Sequence, residues 1–310
     1  VTPDGKYISG WSNSDSFSGD AYVETPLLWE KQSDGTYRAI DVYAELPNFP
    51  KKTKLGTNTQ QVRIDNVSPD GNILSGIINF VTPATVCYYV YNKTTQECKY
   101  VDNALGDVPA ETFVDESTMS NNGKYLTGIV QVAGGSYISS YLYNTSDNSC
   151  ILYNTESEEQ DRAGSAVSNT GVVFACSPAV NPVRSAYVRV GSLWYGIDEI
   201  LSGRYDINFY ERTGYDFTGT IQEVSDDEKT IIGMSETKTK GYIIRLPETI
   251  SEAASSVNPL GTYAVSPAYG SKFAKFSQMK LAFSKSAAVT SGVKAQFMDA
   301  SGKVLREYTI

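Results

Sequence analysis

Val67-Ser68-Pro69-Asp70-Gly71-Asn72-Ile73-Leu74-Ser75-Gly76 and Met119-Ser120-Asn121-Asn122-Gly123-Lys124-Tyr125-Leu126-Thr127-Gly128 follow one pattern, and it decides how the rest of the chain reads. A Val or Met and a Ser or Thr lead into two polar or turn residues and usually a Gly, with a second Gly usually five positions later. Further copies stand at Val1 to Gly10, Val167 to Cys176 and Val224 to Gly233, giving successive spacings of 66, 52, 48 and 57 residues. Between the second and third copies a shift of 52 also carries Ile77 onto Ile129, Tyr89 onto Tyr141, Tyr91 onto Tyr143, Asn92 onto Asn144 and Cys98 onto Cys150. Self-similarity at such a period marks a repeat architecture.

Each unit reads as β-strands. Pro-Asp-Gly and Asn-Asn-Gly are tight turns, because Gly tolerates positive φ and Asp or Asn bonds its own backbone. Behind the turn comes a short β-rich run such as Asn72-Ile73-Leu74-Ser75, then a variable loop and a third strand. Those third strands are Leu27-Leu28-Trp29, Tyr89-Val90-Tyr91, Tyr141-Leu142-Tyr143, Tyr187-Val188-Arg189 and Tyr242-Ile243-Ile244-Arg245. A polar turn leads into a fourth strand, and the run before each motif, for example Gln61 to Asn66, completes the set. Four antiparallel strands in about 50 residues, five times over, predict a five-bladed β-propeller over residues 1–250. The first unit lacks its strand before the turn and the last lacks a clear fourth strand. Residues upstream of Val1 are therefore expected to close the ring.

Residues 251–261 read as a linker or short helix, and 262–310 as part of an immunoglobulin-like β-sandwich. Met279-Lys280-Leu281-Ala282-Phe283 alternates as in a sheet with one wet face, and Asp299 to Lys303 suits a hairpin loop. A full sandwich of this kind takes about 100 residues.

Composition narrows the chemistry. The 310 residues hold 26 Lys and Arg, 35 Asp and Glu and no His, for a net charge of −9. Without imidazole there is no Ser-His-Asp or Cys-His nucleophile and no histidine metal site. The acidic balance argues against nucleic acid, and no apolar run reaches the roughly 20 residues of a transmembrane helix. Cys87, Cys98, Cys150 and Cys176 form no Cys-x-x-Cys pair, so zinc is not expected. Cys98 and Cys150 fall on equivalent positions of neighbouring blades, too far apart for a disulfide, and Cys176 stands where other copies have Gly.

The five motifs resemble the extracellular propeller repeats of bacterial envelope proteins, in which a Ser-x-x-Gly turn precedes a strand ending in Gly and a later Leu-Trp strand recurs. Leu27-Leu28-Trp29 and Leu193-Trp194-Tyr195 match that later element. Ser266-Pro267-Ala268-Tyr269-Gly270, followed by Met279 to Ser284, resembles the opening of bacterial immunoglobulin-like domains. Together these look like an exported protein of the Bacteroidota, at the cell surface (with a lipid anchor in a missing N-terminus as one route) or in the periplasm. Such proteins mostly bind or have no assigned activity, so the resemblance implies a non-catalytic subunit with a protein or glycan partner, accessory to nutrient capture.

Candidate site residues follow from the loops between second and third strands, which vary while the strands keep register. The longest offers Trp11, Asp15, Asp20 and Tyr22, a set suited to stacking on a sugar ring or docking a peptide. The alternative is a carboxylate-dependent glycoside hydrolase or a carbohydrate-binding propeller, with Asp65, Asp115, Glu116 and Glu223 as the acids. A hydrolase needs two carboxyls roughly 5 to 9.5 Å apart. No metal site or cofactor is expected, with calcium in Asp15 to Asp20 or Asp226-Asp227-Glu228 as the one ion such oxygen-rich loops suit. The recurring tyrosines read as core.

Overall fold

The computed structural model describes residues 1–14, 23–50, 54–55, 58–59, 61–81, 84–104, 113–131, 138–153, 163–176, 185–214, 218–235, 241–257, 294–298 and 304–309. The chain divides into two compact units, Val1–Leu260 and Gly261–Ile310.

The first unit is an all-β, five-bladed propeller. Blade I pairs Tyr7–Ser14, Val23–Lys31 and Tyr37–Ile40 in that order, and blade V pairs Thr220–Val224, Thr230–Met234 and Gly241–Arg245. Blade III is a four-stranded meander of Phe113–Met119, Tyr125–Gln131, Ile138–Asn144 and Cys150–Tyr153. Blade IV has the same order, Ala163–Val167, Val173–Cys176, Ala186–Val190 and Leu193–Gly196. In blade II the inner strand is broken into Gln61–Val62 and Asn66–Val67, which both pair with Ile73–Val81 ahead of Ala84–Asn92 and Glu97–Tyr100. Every pairing among the described residues is antiparallel, as short hairpin connections require.

The repeated motif turns out to be a clasp. In each copy the Gly, or Glu228 in the last, donates its N–H to the Ser or Thr carbonyl at 2.8 to 3.1 Å and closes a tight turn. The same hydroxyl oxygen accepts an N–H at or just before the next strand: Tyr7 to Thr2 at 3.0 Å, Ile73 to Ser68 at 2.8 Å, Tyr125 to Ser120 at 2.9 Å, Val172 to Ser168 at 3.0 Å and Thr230 to Ser225 at 2.9 Å. In four copies the hydroxyl also donates to Asp or Asn two residues on, at 2.6 to 2.8 Å. Thr2, Ser68, Ser120 and Ser168 are buried, so an unmade bond there would cost the full desolvation of the group.

The glycines let neighbouring clasps nest. A Cβ on Gly71, whose φ is +74°, would lie 2.2 Å from the Tyr7 ring of blade I, and one on Gly123 2.5 Å from Ser68 Cβ of blade II. The second Gly has a different task. At Gly233 a Cβ would meet the ring of its cross-strand partner Tyr242 at 2.3 Å, and Tyr242 donates to the Thr218 carbonyl. Gly76 pairs likewise with Tyr89, which donates to the Arg63 carbonyl at 2.8 Å.

The core lies between blades. Leu28 and Ile40 of blade I pack with Val62, Ile64 and Leu74 of blade II, and Val90 of blade II with Met119 and Leu126 of blade III. Between blades IV and V, Phe174 and Val188 meet Ile221 and Val224. Tyr88, Tyr89, Tyr91, Tyr141 and Tyr143 are fully buried, as core tyrosines should be. Two helices absent from the sequence reading, Ile197–Tyr205 and Phe209–Thr213, bury Ile197, Ile200, Leu201 and Phe209 in the blade IV–V cluster. Ile250–Ala254, largely inside the stretch read as a linker, is a helix that buries Ile250, Ala253 and Ala254 in the same cluster.

One register is corrected. In blade IV Ala175 pairs with Tyr187, as Gly128 pairs with Tyr141, so Ala175 and not Cys176 takes the second-glycine position. The Ser168 N–H bonds the carbonyl four residues on where the other copies reach five, so this turn is one residue tighter.

In the second unit Lys294–Met298 pairs antiparallel with Val304–Thr309. The Ser266 to Gly270 turn and Met279 to Phe283 lie outside the described residues.

The nesting makes a direct prediction. Gly35, at φ +85° with open space around its Cβ position, isolates the backbone cost of a side chain in the left-handed region, and Gly35→Ala should cost about 1–2 kcal/mol. Gly71→Ala adds collision with Tyr7 and should cost at least about 2 kcal/mol more in urea unfolding. Equal losses at both positions would mean that the turns do not interlock.

Candidate functional site

Trp11 lies near the loop end of its strand, opposite Pro26, with 44% of its surface exposed. It alternates onto the same side as Tyr7 and Ser9, the side toward blade II. The Arg63 guanidinium of blade II sits 5.6 Å from the Trp11 ring centroid, a cation–π contact that covers part of the indole. Asp15, Asp20 and Tyr22 lie outside the described residues.

The inner-strand acids do not share a level. Asp115 pairs with Ile129 and Glu223 with Ile232, and these partners stand on either side of the second-glycine position, two residues or roughly 7 Å apart along the strands. Asp65 hangs beside the break in its strand, its N–H bonded to the Ser75 carbonyl. Glu116 falls at the irregularity between Asp115 and Ser117, and of Asp115 and Glu116 the structure describes the backbone. Glu223 is open to water yet recessed. Burial raises its carboxyl above the ordinary value, with Asp226 adding like-charge repulsion against one backbone N–H that lowers it.

The acidic turn Asp226-Asp227-Glu228 is occupied by protein donors. Asp226 Oδ1 accepts from the amides of Asn121 and Asn169, at 3.0 and 2.8 Å, tying blade V to blades III and IV. Asp227 Oδ1 accepts from Ser225 and from the Lys229 N–H. Glu228 is buried and adopts φ 56° where the other copies carry glycine. Its carboxylate accepts from Ser168 at 2.7 Å, from Thr170, and from Ser251 at 3.2 Å. Hydroxyl and amide hydrogens thus face the oxygens that an ion would need.

Sequence reasoning missed two features. A polar cleft of about 400 Å³ lies between blades II and III, lined by Ser68, Asp70, Asn72, Asn122, Lys124 and Thr145. Its lining comes largely from the turns of the repeated motif. The second is Arg189, whose guanidinium lies 4.0 Å from the Tyr153 ring centroid and 5.5 Å from that of Trp194. Tyr153 and Trp194 meet edge to face at 6.1 Å, so Trp194 joins the outer strands of blades III and IV.

None of the four cysteines forms a disulfide, and all four are partly buried. Burial pushes the Cys98 thiol up to about 11 and the Cys150 thiol up to about 12.

No family model and no curated protein matches the sequence. Among solved structures the chain is similar to the β-propeller domain of the Trilobed protease from Pyrococcus furiosus, at 9% identity and a TM-score of 0.46, over 98% of this chain and 94% of that one. An acylaminoacyl peptidase is 10% identical with a TM-score of 0.44, over 99% of this chain and 43% of its own. Porphyromonas gingivalis dipeptidyl peptidase 4 gives 10% and 0.44, over 99% and 44%. This chain thus spans less than half the length of either peptidase.

The thiols provide a check. With pKa values this high, Cys98 and Cys150 are almost wholly protonated at pH 8, and alkylation requires the thiolate. In the folded protein both should react with iodoacetamide at least about 100-fold more slowly than in urea-unfolded chain. Comparable rates would show that the blade edges carrying them are open.

Proposed function

We propose that the chain is a non-catalytic, exported β-propeller that binds a protein or glycan partner at the bacterial cell envelope. The face from which the loops between second and third strands emerge makes the contact. The observation that carries this reading is Trp11, a large aromatic left 44% exposed near the loop end while most tyrosines of the recurring strands are fully buried. An exposed indole edge beside a guanidinium offers an apolar platform and a donor together, which suits a sugar ring or a peptide backbone. Residues 262–310 are read as part of an immunoglobulin-like module, and the hairpin Lys294–Met298 with Val304–Thr309 is in keeping with it.

A carboxylate-dependent glycoside hydrolase is the second reading. Glu223 favours it, since a recessed carboxyl that holds its proton to higher pH is what a general acid needs.

A glycan array probed with the protein and with Trp11→Ala separates these readings. The binding account expects retained glycan, with at least a tenfold loss in the variant and an unchanged circular dichroism spectrum. Binding that is indifferent to the substitution removes Trp11 from the site, and release of reducing sugar from any glycan overturns the non-catalytic reading.

A further inference from the structure

Successive blades meet at their clasps, and at three of the four junctions a side chain fills the space beside the clasp. Between blades I and II the Tyr7 ring lies against Gly71, where a Cβ would sit 2.2 Å from it, and the Tyr7 hydroxyl donates to Glu30 at 3.0 Å. Between blades III and IV the ring is that of Tyr125, 3.3 Å from the place of a Cβ on Gly171. Between blades IV and V the clasp glycine is replaced by Glu228, whose carboxylate reaches back to Ser168 and Thr170.

The junction of blades II and III differs at both positions. The residue in the place of Tyr7 and Tyr125 is Ile73, and the residue in the place of Glu228 is Gly123. The polar cleft of about 400 Å³ lies there, with Ile73 and Gly123 both in its wall and every lining residue among those described. Sites for small molecules run from roughly 300 to 1,000 Å³. The surroundings have changed with the filler. Tyr7 is held through its ring face by the ammonium groups of Lys6 and Lys93, at 5.0 and 5.6 Å from its centroid. In blades II and III the positions of Lys6, Lys93 and Glu30 are taken by Asn72, Thr145 and Asn92, all three lining the cleft. Cations that suit an aromatic face have given way to amides and a hydroxyl that suit polar substituents. Asp70 Oδ1 accepts from the Ser68 hydroxyl and the Asn72 N–H, and the Asn92 side-chain carbonyl from the N–H groups of Thr94 and Thr95. The second Asp70 oxygen can still accept, and the Asn92 amide and the exposed Lys124 ammonium can still donate.

We propose that the cleft between blades II and III is a binding site for a single pyranose ring. The C–H face of the sugar rests on Ile73, the one apolar side chain of the lining, and its hydroxyls bond to Asp70, Asn92 and Lys124. Hydroxyls around the whole rim of a saturated ring can meet donors and acceptors from both blades at once. A phenol such as the one that fills the neighbouring junction carries a single hydroxyl and would leave most of these groups unused. The site is separate from Trp11 and stands whether or not the loop face binds a glycan.

The test titrates the full chain with the methyl glycosides of glucose, galactose, mannose, N-acetylglucosamine and glucuronic acid, and with p-cresol, following backbone amide resonances. At least one glycoside should saturate in the millimolar range and shift the amides of Asn72, Gly123 and Lys124. Ile73→Tyr rebuilds the ring that blades I and III supply for themselves. It should hold or raise the melting temperature and weaken that glycoside at least tenfold. Lys124→Ala, at an exposed side chain, should leave the melting temperature unchanged and weaken the glycoside about fivefold. The absence of any saturable glycoside, binding that survives Ile73→Tyr, or a p-cresol affinity above that of every glycoside overturns the proposal. So does a glycoside lost with Trp11→Ala and retained with Ile73→Tyr, because sugar binding would then belong to the loop face alone.

Discussion

A hydroxyl in the turn of each repeat, buried in four of the five and accepting one backbone N–H while its own turn closes beneath it, is the constraint on which this propeller depends. Short strands bury little surface within one sheet, so each blade gains its stability from the next. Close packing near the axis then forces every turn to satisfy its polar groups within a few residues. Ser or Thr followed two residues later by Asp or Asn does this with one hydroxyl and one side-chain acceptor, as in Ser68 with Asp70. Glycine follows because the chain turns through positive φ there and, at Gly71 and Gly123, because the previous blade occupies the space a Cβ would need. Glu228 meets the same constraint by another route, accepting left-handed backbone and spending its carboxylate on Ser168, Thr170 and Ser251.

That division of labour limits the chemistry left over. The tyrosines recurring in register fill the core, Asp226 and Asp227 hold turns together, and the thiols of Cys98 and Cys150 are raised far from reactivity. Among the described residues, these groups are thus engaged in holding the fold together. Among the described residues, exposed features at the rims include Trp11 on the loop side, the cleft beside Asp70 and Lys124 on the turn side, and Ile232 with Ile243 on blade V.

The repeat was legible because clasp and nesting leave a local signature, and residues such as Tyr89 and Tyr141 recur when neighbouring blades share a register. Its failures were also local. A turn one residue tighter moves Ala175 into the place given to Cys176, which no motif spaced on fixed positions can detect. The helix Ile197–Tyr205 did leave a signal, apolar residues at 197, 200 and 201 behind Trp194-Tyr195-Gly196, masked by reading the stretch for strands alone. The bridging of Asn121 and Asn169 to Asp226 was out of reach, since residues 105 and 57 positions apart meet only through ring curvature. Of the candidate site, Trp11 could be placed from its strand, whereas the levels of Asp115 and Glu223 depend on inner-strand irregularities that sequence does not announce.

Native-state hydrogen exchange at five amides tests the central claim most directly. The N–H groups of Tyr7, Ile73, Tyr125, Val172 and Thr230 all end on clasp hydroxyls. If the clasps hold the blades together, these amides exchange only with global unfolding, at rates matching the central strands of blades II to IV. Exchange at the rate of the exposed turn amides, such as those of Thr94 and Ser146, would contradict the account.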